Sequence, residues 1–257
     1  MLMDAQPSPA LRPAIHGEAA TPAAVRLKLS VLIPVYNEEN TVYELLRRVD
    51  AVPLPLDKEI VVVDDGSRDR TVEEVERFKR DHPEADLHLV PHGHNRGKGA
   101  GVRSALQSAS GDLVIIQDGD LEYDPKDFPQ LLEPLLDGRA DAVFGSRFLG
   151  GPHRVLYFWH SVGNKVLTLL SNVFTNYNLT DMEVCYKAMR RSVALSLALQ
   201  SDRFGIEPEI TAKLARGDWR LYEVPVSYAG RSYEEGKKIG WRDGVAALCH
   251  IVRFRFF

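Results

Sequence analysis

The chain is short of cysteine, with two in 257 residues, Cys185 and Cys249. They lie far apart and match no metal-ligand spacing, which points to a reducing compartment and no disulfide framework. Long apolar runs are missing as well. No stretch approaches the roughly 18 apolar residues of a membrane-spanning helix, and residues 1–28 lack the continuous apolar core of a signal peptide. An excess of one charge is also absent. The 32 Lys and Arg face 36 Asp and Glu, a net charge of -4 that excludes a general nucleic-acid binder. There is no internal repeat. Residues 1–21 are rich in Pro and Ala with mixed charge, and residues 1–28 are expected to be a disordered lead-in.

What the chain does have is alternation. Apolar runs at 29–35, 59–63, 87–90, 112–116 and 141–145 read as strands. Segments 39–49, 72–80, 100–108 and 127–136 between them read as helices. The first two strands are apolar throughout rather than every second residue, as expected of parallel strands covered on both faces. This predicts an α/β fold with a doubly wound, mostly parallel sheet. Polar clusters follow at least three strands, and in open α/β sheets that edge binds ligands. Beyond Arg147 the pattern changes. Residues 159–174 predict a helix with apolar Val162, Val166, Leu169, Leu170 and Val173, broken at 176–181. Helices are expected at 192–199 and 208–216, a strand at 220–226, and an amphipathic helix at 241–257. Residues 29–240 read as one domain.

The most informative segment is Asp118-Gly119-Asp120-Leu121-Glu122, just past the strand at 112–116. Two carboxylates one residue apart at a strand end can converge on one hard cation, and Gly119 lets the backbone turn sharply there. Mg²⁺ or Mn²⁺ held by one or two carboxylates takes its other ligands from substrate phosphates and water. An acidic triplet alone is weak evidence, because it also suits a solvated turn or a helix cap.

Its company adds weight. The set Ile33-Pro34-Val35-Tyr36-Asn37-Glu38, Val63-Asp64-Asp65-Gly66-Ser67, Asn95-Arg96-Gly97-Lys98-Gly99 and Asp118-Gly119-Asp120 resembles the family 2 glycosyltransferases. Gly145-Ser146-Arg147 and Arg231-Ser232-Tyr233-Glu234-Glu235-Gly236-Lys237 bring it nearer to the dolichyl-phosphate mannose synthase and bacterial polyprenyl-phosphate sugar transferase branch. The match runs over about 29–240, in the family's order. It implies a nucleotide-diphospho-sugar transferase fold of the GT-A type. It also implies an inverting, metal-dependent transfer of a hexose, mannose foremost, from a nucleotide diphosphate sugar to polyprenyl phosphate. A glycan or other non-lipid acceptor, and a catalytically silent nucleotide-sugar binder, are the alternatives.

The resemblance carries nucleotide-sugar binding onto Pro34, Tyr36, Glu38, Val63, Asp65, Asp118, Gly119, Asp120, Arg147, Arg231 and Lys237. It makes Asp120 a direct metal ligand, with Asp118 and Glu122 beside it, and gives Asp120 and Arg147 the catalytic roles. The donor is expected to be GDP-mannose or UDP-glucose. A guanidinium suits bidentate phosphate binding, so Arg147 is a candidate for the diphosphate or for the acceptor phosphate. Lys165 is either a second cation for that phosphate or a solvated helix position. The 95–99 loop lacks the spacing of a P-loop, and is either a phosphate-neutralising loop or a surface turn.

A carbohydrate acceptor needs a base, and a lipid phosphate does not, since its oxygen is already anionic. Glu209 and Asp181 are the carboxylates available as a base or as structural partners. The terminal helix admits three readings. Trp241, Val245, Leu248, Ile251, Val252 and Phe256 share one broad face, with Arg253 and Arg255 elsewhere, which suits a bilayer interface. The same face also suits packing on the domain, or docking on a small membrane subunit. The expected location is the cytoplasmic face of a membrane, held peripherally.

Overall fold

The computed structural model describes residues 26–150, 154–155, 157–231 and 241–256, the backbone alone for 241–245. Residues 1–25, which include most of the expected lead-in, lie outside this description, as do Ser232 to Gly236 and Lys237.

Seven strands form one sheet: β1 (Lys28–Val35), β2 (Asp57–Asp64), β3 (Leu87–Pro91), β4 (Leu113–Ile116), β5 (Ala142–Ser146), β6 (Lys187–Arg190) and β7 (Leu221–Pro225). Their spatial order is β3-β2-β1-β4-β6-β5-β7. Every pairing is parallel except those of β6, which runs antiparallel to both β4 and β5. The doubly wound, mostly parallel sheet agrees with the expectation. The strand β6 was not expected. It opens on Lys187, a residue type that reads as exposed, yet Lys187 is fully buried. Its ammonium donates to the carbonyls of Met182 at 3.0 Å and Val184 at 2.5 Å, which is how a lysine is tolerated there.

The helices are α1 (Val42–Ala51), α2 (Thr71–Asp81), α3 (Lys98–Ser108), α4 (Phe128–Leu136), α5 (Phe158–Thr175), α6 (Arg191–Ser196), α7 (Ile206–Leu214) and α8 (Trp241–Phe256). In α1, Val42, Leu45, Leu46 and Val49 recur at helical spacing and are all buried against the sheet. In α3, glycine and alanine replace larger residues because the helix lies close on β1. A Cβ on Gly101 would come within 2.8 Å of the Cβ of Pro34. The helix expected at 159–174 is present as α5, and it ends at Asn176 in the left-handed conformation, φ 59°.

The faces of α5 are the reverse of an ordinary surface helix. Its buried residues are the hydroxyl-bearing Thr168, Ser171 and Thr175. Trp159, Leu169 and Val173 are 78%, 62% and 69% exposed. In α8, Ala247, Ile251 and Phe254 are buried, while Leu248, Val252 and Phe256 face outward. The single face expected for α8 is therefore split: Ile251 packs on the domain and its neighbours do not. Arg255 Nε also donates to the Phe174 carbonyl at 2.7 Å, tying the end of α8 to α5. No helix among the described residues is long and apolar enough to cross a membrane.

Candidate active site

The polar motifs meet at the C-terminal ends of β1, β2, β4 and β5, as the parallel strands require. At β1 and β2, Pro34 is buried and Tyr36 half-buried beside it. Asp65 Oδ1 lies 2.8 Å from His92 Nδ1 and accepts from the Arg96 amide at 2.9 Å, while Oδ2 accepts from the Gly97 amide at 2.7 Å. His92 Nε2 in turn lies 2.8 Å from Ser104 Oγ on α3. Asp65 thus braces the loop at 92–97. Val63 offers less than expected. Its side chain is fully buried in the core and its backbone lies in the β1 and β3 ladders, so it gives a ligand no side-chain surface.

Gly119 turns the chain hard against β1. A Cβ there would lie 2.9 Å from Val35 Cγ1 and 3.1 Å from the Pro34 carbonyl oxygen. The two aspartates on either side of it go to different cations. Asp118 Oδ1 lies 2.7 Å from Lys98 Nζ, and the same ammonium lies 2.7 Å from Glu207 Oε1. Asp120 Oδ2 takes Arg231 Nη2 at 2.5 Å. That guanidinium also reaches Glu122 Oε1 at 3.3 Å and Glu38 Oε2 at 3.6 Å. Burial, and then the neighbouring Asp118 and Glu122, push the Asp120 carboxyl up to about 7, although Arg231 pulls the other way.

Glu38, Asp120 and Glu122 therefore gather on one cation, and an oxygen-only donor set suits Mg²⁺ or Mn²⁺. Asp118 pairs with Lys98 instead of Arg231 and so stands apart from that group here. Among the described residues, the acidic and histidine groups whose ligand atoms all lie within 4.8 Å are elsewhere: Asp50, His82, Glu84 and Glu59, Asp86, His88.

Arg147 follows β5. Its Nε and Nη2 meet Asp181 Oδ2 and Oδ1 at 2.6 and 2.7 Å, and Nη2 also reaches Asn164 Oδ1 at 3.1 Å. Burial opposes its charge, but Tyr123 and Asp181 outweigh that and hold it firmly protonated. The Tyr228 ring lies under the guanidinium, 5.1 Å from Cζ, and its hydroxyl donates to Glu122 Oε2 at 2.9 Å. One tyrosine thus separates Arg147 from the carboxylate group. Lys165 is exposed, and its ammonium lies 6.0 Å from the Phe148 ring centroid.

Neither carboxylate considered as a base is free to act. Asp181 is fully buried and holds Arg147 and Asn164. Glu209 is equally buried; it accepts from the Gln200 and Ser201 amides, both at 2.7 Å, and pairs with Lys213 at 2.6 Å. Sequence reasoning missed Tyr228 and Asn164 altogether, and it did not foresee Asp118 and Glu207 as the partners of Lys98. Glu207 stood two residues from the glutamate that was chosen, and no local pattern separates the two.

Comparison with known proteins agrees with this layout. The family model for glycosyl transferase family 2 matches residues 30–197. A dolichol-phosphate mannosyltransferase of Pyrococcus furiosus is 30% identical over 218 residues, covering 83% of this chain and 60% of its own length. An undecaprenyl-phosphate 4-deoxy-4-formamido-L-arabinose transferase of Pseudomonas aeruginosa is 32% identical over 211 residues, 81% of this chain and 60% of that protein. The chain therefore spans about three fifths of the length of these relatives. Among solved structures, glucosyl-3-phosphoglycerate synthase from Mycobacterium tuberculosis, in complex with Mn²⁺, UDP and phosphoglyceric acid, superposes with a TM-score of 0.69 at 19% identity. That match covers 91% of this chain and 80% of that one, and it shows the shared GT-A fold. With the family model spanning most of the folded chain and its motifs gathered at one sheet edge, the chain belongs to glycosyl transferase family 2.

Proposed function

We propose that this chain is an inverting, metal-dependent glycosyltransferase that moves a hexose from a nucleotide diphosphate sugar to polyprenyl phosphate. The observation that carries the reading is the Tyr228 bridge. It sets the carboxylate group of Glu38, Asp120 and Glu122 on one side and the Arg147 guanidinium on the other. Transfer between two anions needs that arrangement: a place for the leaving diphosphate, a place for the attacking phosphate, and the sugar between them.

The residues then divide the work. Glu38, Asp120 and Glu122 would hold the divalent ion, and Arg231 stands ready among them as a cation for the diphosphate. A bound Mg²⁺ or Mn²⁺ supplies charge stabilisation for the diphosphate as it leaves. Asp181 and Asn164 orient the Arg147 fork toward an acceptor phosphate, whose anionic oxygen attacks the anomeric carbon from the face opposite the diphosphate. The new C–O bond forms as the bond to the diphosphate breaks, the electron pair leaves with the diphosphate, and the configuration inverts. No proton moves, in keeping with Asp181 and Glu209 both being structurally committed. Lys165 is a peripheral second cation at most.

The names of the relatives support a polyprenyl or dolichyl phosphate acceptor, and mannose is the favoured sugar on the first of them. The exposed apolar stripe of α5, with Leu248, Val252 and Phe256 of α8 beside it, supports peripheral contact with a membrane, and the cytoplasmic face is the side we propose. A small membrane subunit on the same stripe, and a glycan acceptor, are the second readings.

The test is a donor panel. UDP-glucose and GDP-mannose are each offered with a short polyprenyl phosphate or, separately, an oligosaccharide acceptor, with Mn²⁺, Mg²⁺ or EDTA, and the anomeric configuration of the product is read by NMR. Metal-dependent lipid-linked product of inverted configuration is expected. Transfer to a glycan alone would favour the second acceptor reading, and binding without transfer would favour a silent nucleotide-sugar binder.

A further inference from the structure

Two carboxylate oxygens near this crevice have no partner. Glu207 lies in the first turn of α7, and its side chain is 7% exposed. Its Oε1 takes Lys98, while Oε2 is shut from solvent without a hydrogen bond. Glu183 lies in the turn before β6, and its Oε1 is buried and unpartnered in the same way. A buried acceptor left unpaired is costly and rare in native proteins, so each calls for an explanation. The turn carrying Glu183 is held in place, because the buried ammonium of Lys187 binds the carbonyls on both sides of it, at Met182 and Val184. Neighbouring Glu209 on the same helix has both oxygens fully used, so an unpaired carboxylate is not a general habit of this region.

Their place in the crevice narrows what they bind. Glu207 is joined to Asp118 through Lys98, on the donor side. Glu183 lies two residues along the chain from Asp181, the carboxylate that holds the Arg147 fork. One unpaired oxygen is thus tied through Lys98 to the turn that follows β4, and the other belongs to the segment that holds the guanidinium proposed for the acceptor. As carboxylates they accept and cannot donate, so the partner of that form must bring donors. Neither diphosphate nor acceptor phosphate does, and both would repel them. A nucleobase and its ribose belong at the β1 and β2 edge. What lies between two anions in a glycosyl transfer is the sugar, which is neutral and carries several O–H donors.

We propose that Glu183 and Glu207 recognise the transferred hexose, their unpaired oxygens accepting hydrogen bonds from its hydroxyl groups. This rests on the donor reading above. Lys98 fixes Glu207 through Oε1 by pairing it with Asp118, which leaves Oε2 for a ligand. Burial, and next the Glu207 charge, push Glu183 up to about 7, so near neutral pH it is present in both forms and its carboxylate form accepts from a hydroxyl. Sugar selectivity then resides in these two residues and not in the metal-binding carboxylates.

The experiment compares sugar with no sugar. UDP-glucose, UDP, GDP-mannose and GDP are titrated calorimetrically into the wild type, Glu207→Gln and Glu183→Gln, with Mn²⁺ present and folding checked by thermal melting. Each variant should lose on the order of tenfold in affinity for the nucleotide sugar the wild type binds, the loss expected for one hydrogen bond to a charged group. Affinity for the matching nucleoside diphosphate should stay within about twofold. Monodeoxy donor analogues supply a second arm that tolerates modest destabilisation. The penalty of Glu207→Gln or Glu183→Gln should disappear with the analogue lacking the contacted hydroxyl. Equal weakening of nucleotide sugar and nucleoside diphosphate would show that the pair acts on the diphosphate through Lys98, and would overturn the proposal. Full penalties with every deoxy analogue would overturn it too. If the wild type binds none of the four ligands, the donor reading itself falls, and the proposal with it.

Discussion

Arg231 donates through Nη2 to Asp120 Oδ2 at 2.5 Å, across 111 residues of sequence. The contact pairs the second aspartate of the Asp118-Gly119-Asp120 turn with an arginine, and the same guanidinium reaches Glu122 and Glu38. Lys98 meanwhile takes the first aspartate away. The two carboxylates that look equivalent in the sequence therefore have separate duties.

For Asp120→Asn we expect transfer to fall about a hundredfold, or about 3 kcal/mol of transition-state stabilisation, with little change in nucleoside binding. The measure is kcat with saturating Mn²⁺, beside an EDTA control. Unchanged turnover in both the variant and the EDTA sample would remove the metal from the mechanism.

Asp181→Asn acts differently, because it leaves the Arg147 guanidinium without its two-pronged partner. Breaking a buried pair on one side costs about 3 kcal/mol. A lowered urea midpoint should accompany the loss of acceptor use. Arg147→Ala should depress kcat/KM for polyprenyl phosphate, with Arg147→Lys restoring only part of it, since an ammonium cannot reproduce the fork. Equal activity of the lysine variant and the wild type would argue against bidentate phosphate binding.

Away from the site, Glu59 sets a pH dependence of stability. Burial alone would raise its carboxyl, but bonds from Lys28, Ser110 and Ser30 outweigh this and hold it at about 2, against 4.5 when unperturbed. A depressed carboxylate stabilises the fold above its unfolded pKa, and the gain is lost as pH falls from about 4.5 toward about 2. With its Lys28 partner partly open to solvent, the shift is worth at most about 3 kcal/mol at neutral pH. The stability gap between wild type and Glu59→Gln should be widest at pH 7 and should narrow on acidification. A gap that stays constant from pH 7 to 3 would assign the effect to packing.

The outward stripe of α5 predicts adsorption to lipid. A large apolar side chain moved out of water is worth roughly 1.5–3 kcal/mol. Trp159→Ser combined with Leu169→Ser should therefore lower binding to anionic vesicles at least tenfold, by flotation. Both side chains are exposed, so the melting temperature should hardly move. Deleting residues 253–257 is a poorer test, because it also removes the buried Phe254. Equal flotation of wild type and double variant would mean that α5 does not touch lipid.

Much of the fold was legible before any coordinates. Uniformly apolar runs foretold the parallel strands, and the helices fell within a few residues of their observed bounds. The strand β6 escaped because Lys187 looks like a surface residue, and nothing local reveals that the carbonyls of Met182 and Val184 enclose its ammonium. In α5 the apolar period was seen, but not that hydroxyl groups would turn inward and the apolar side outward. Among the site residues, Val63 was placed by its neighbours in the motif, whereas its side chain belongs to the core. Asp181 and Glu209 were carboxylates in the right region, and their partners decide that they are structural.

The sequence by itself determined the order and type of most elements, the sheet edge where polar groups collect, and the family. Those follow from periodicity and from residues adjacent along the chain, which chain geometry converts directly into local structure. Only the tertiary structure decided which carboxylate meets which cation. Arg231 finds Asp120, Lys98 finds Asp118 and Glu207, and Arg147 finds Asp181. Glu183 and Glu207 keep oxygens unpaired only because of what surrounds them. Such pairings depend on distances between residues far apart in the chain and on exclusion of water, and neither is written in any short stretch of sequence.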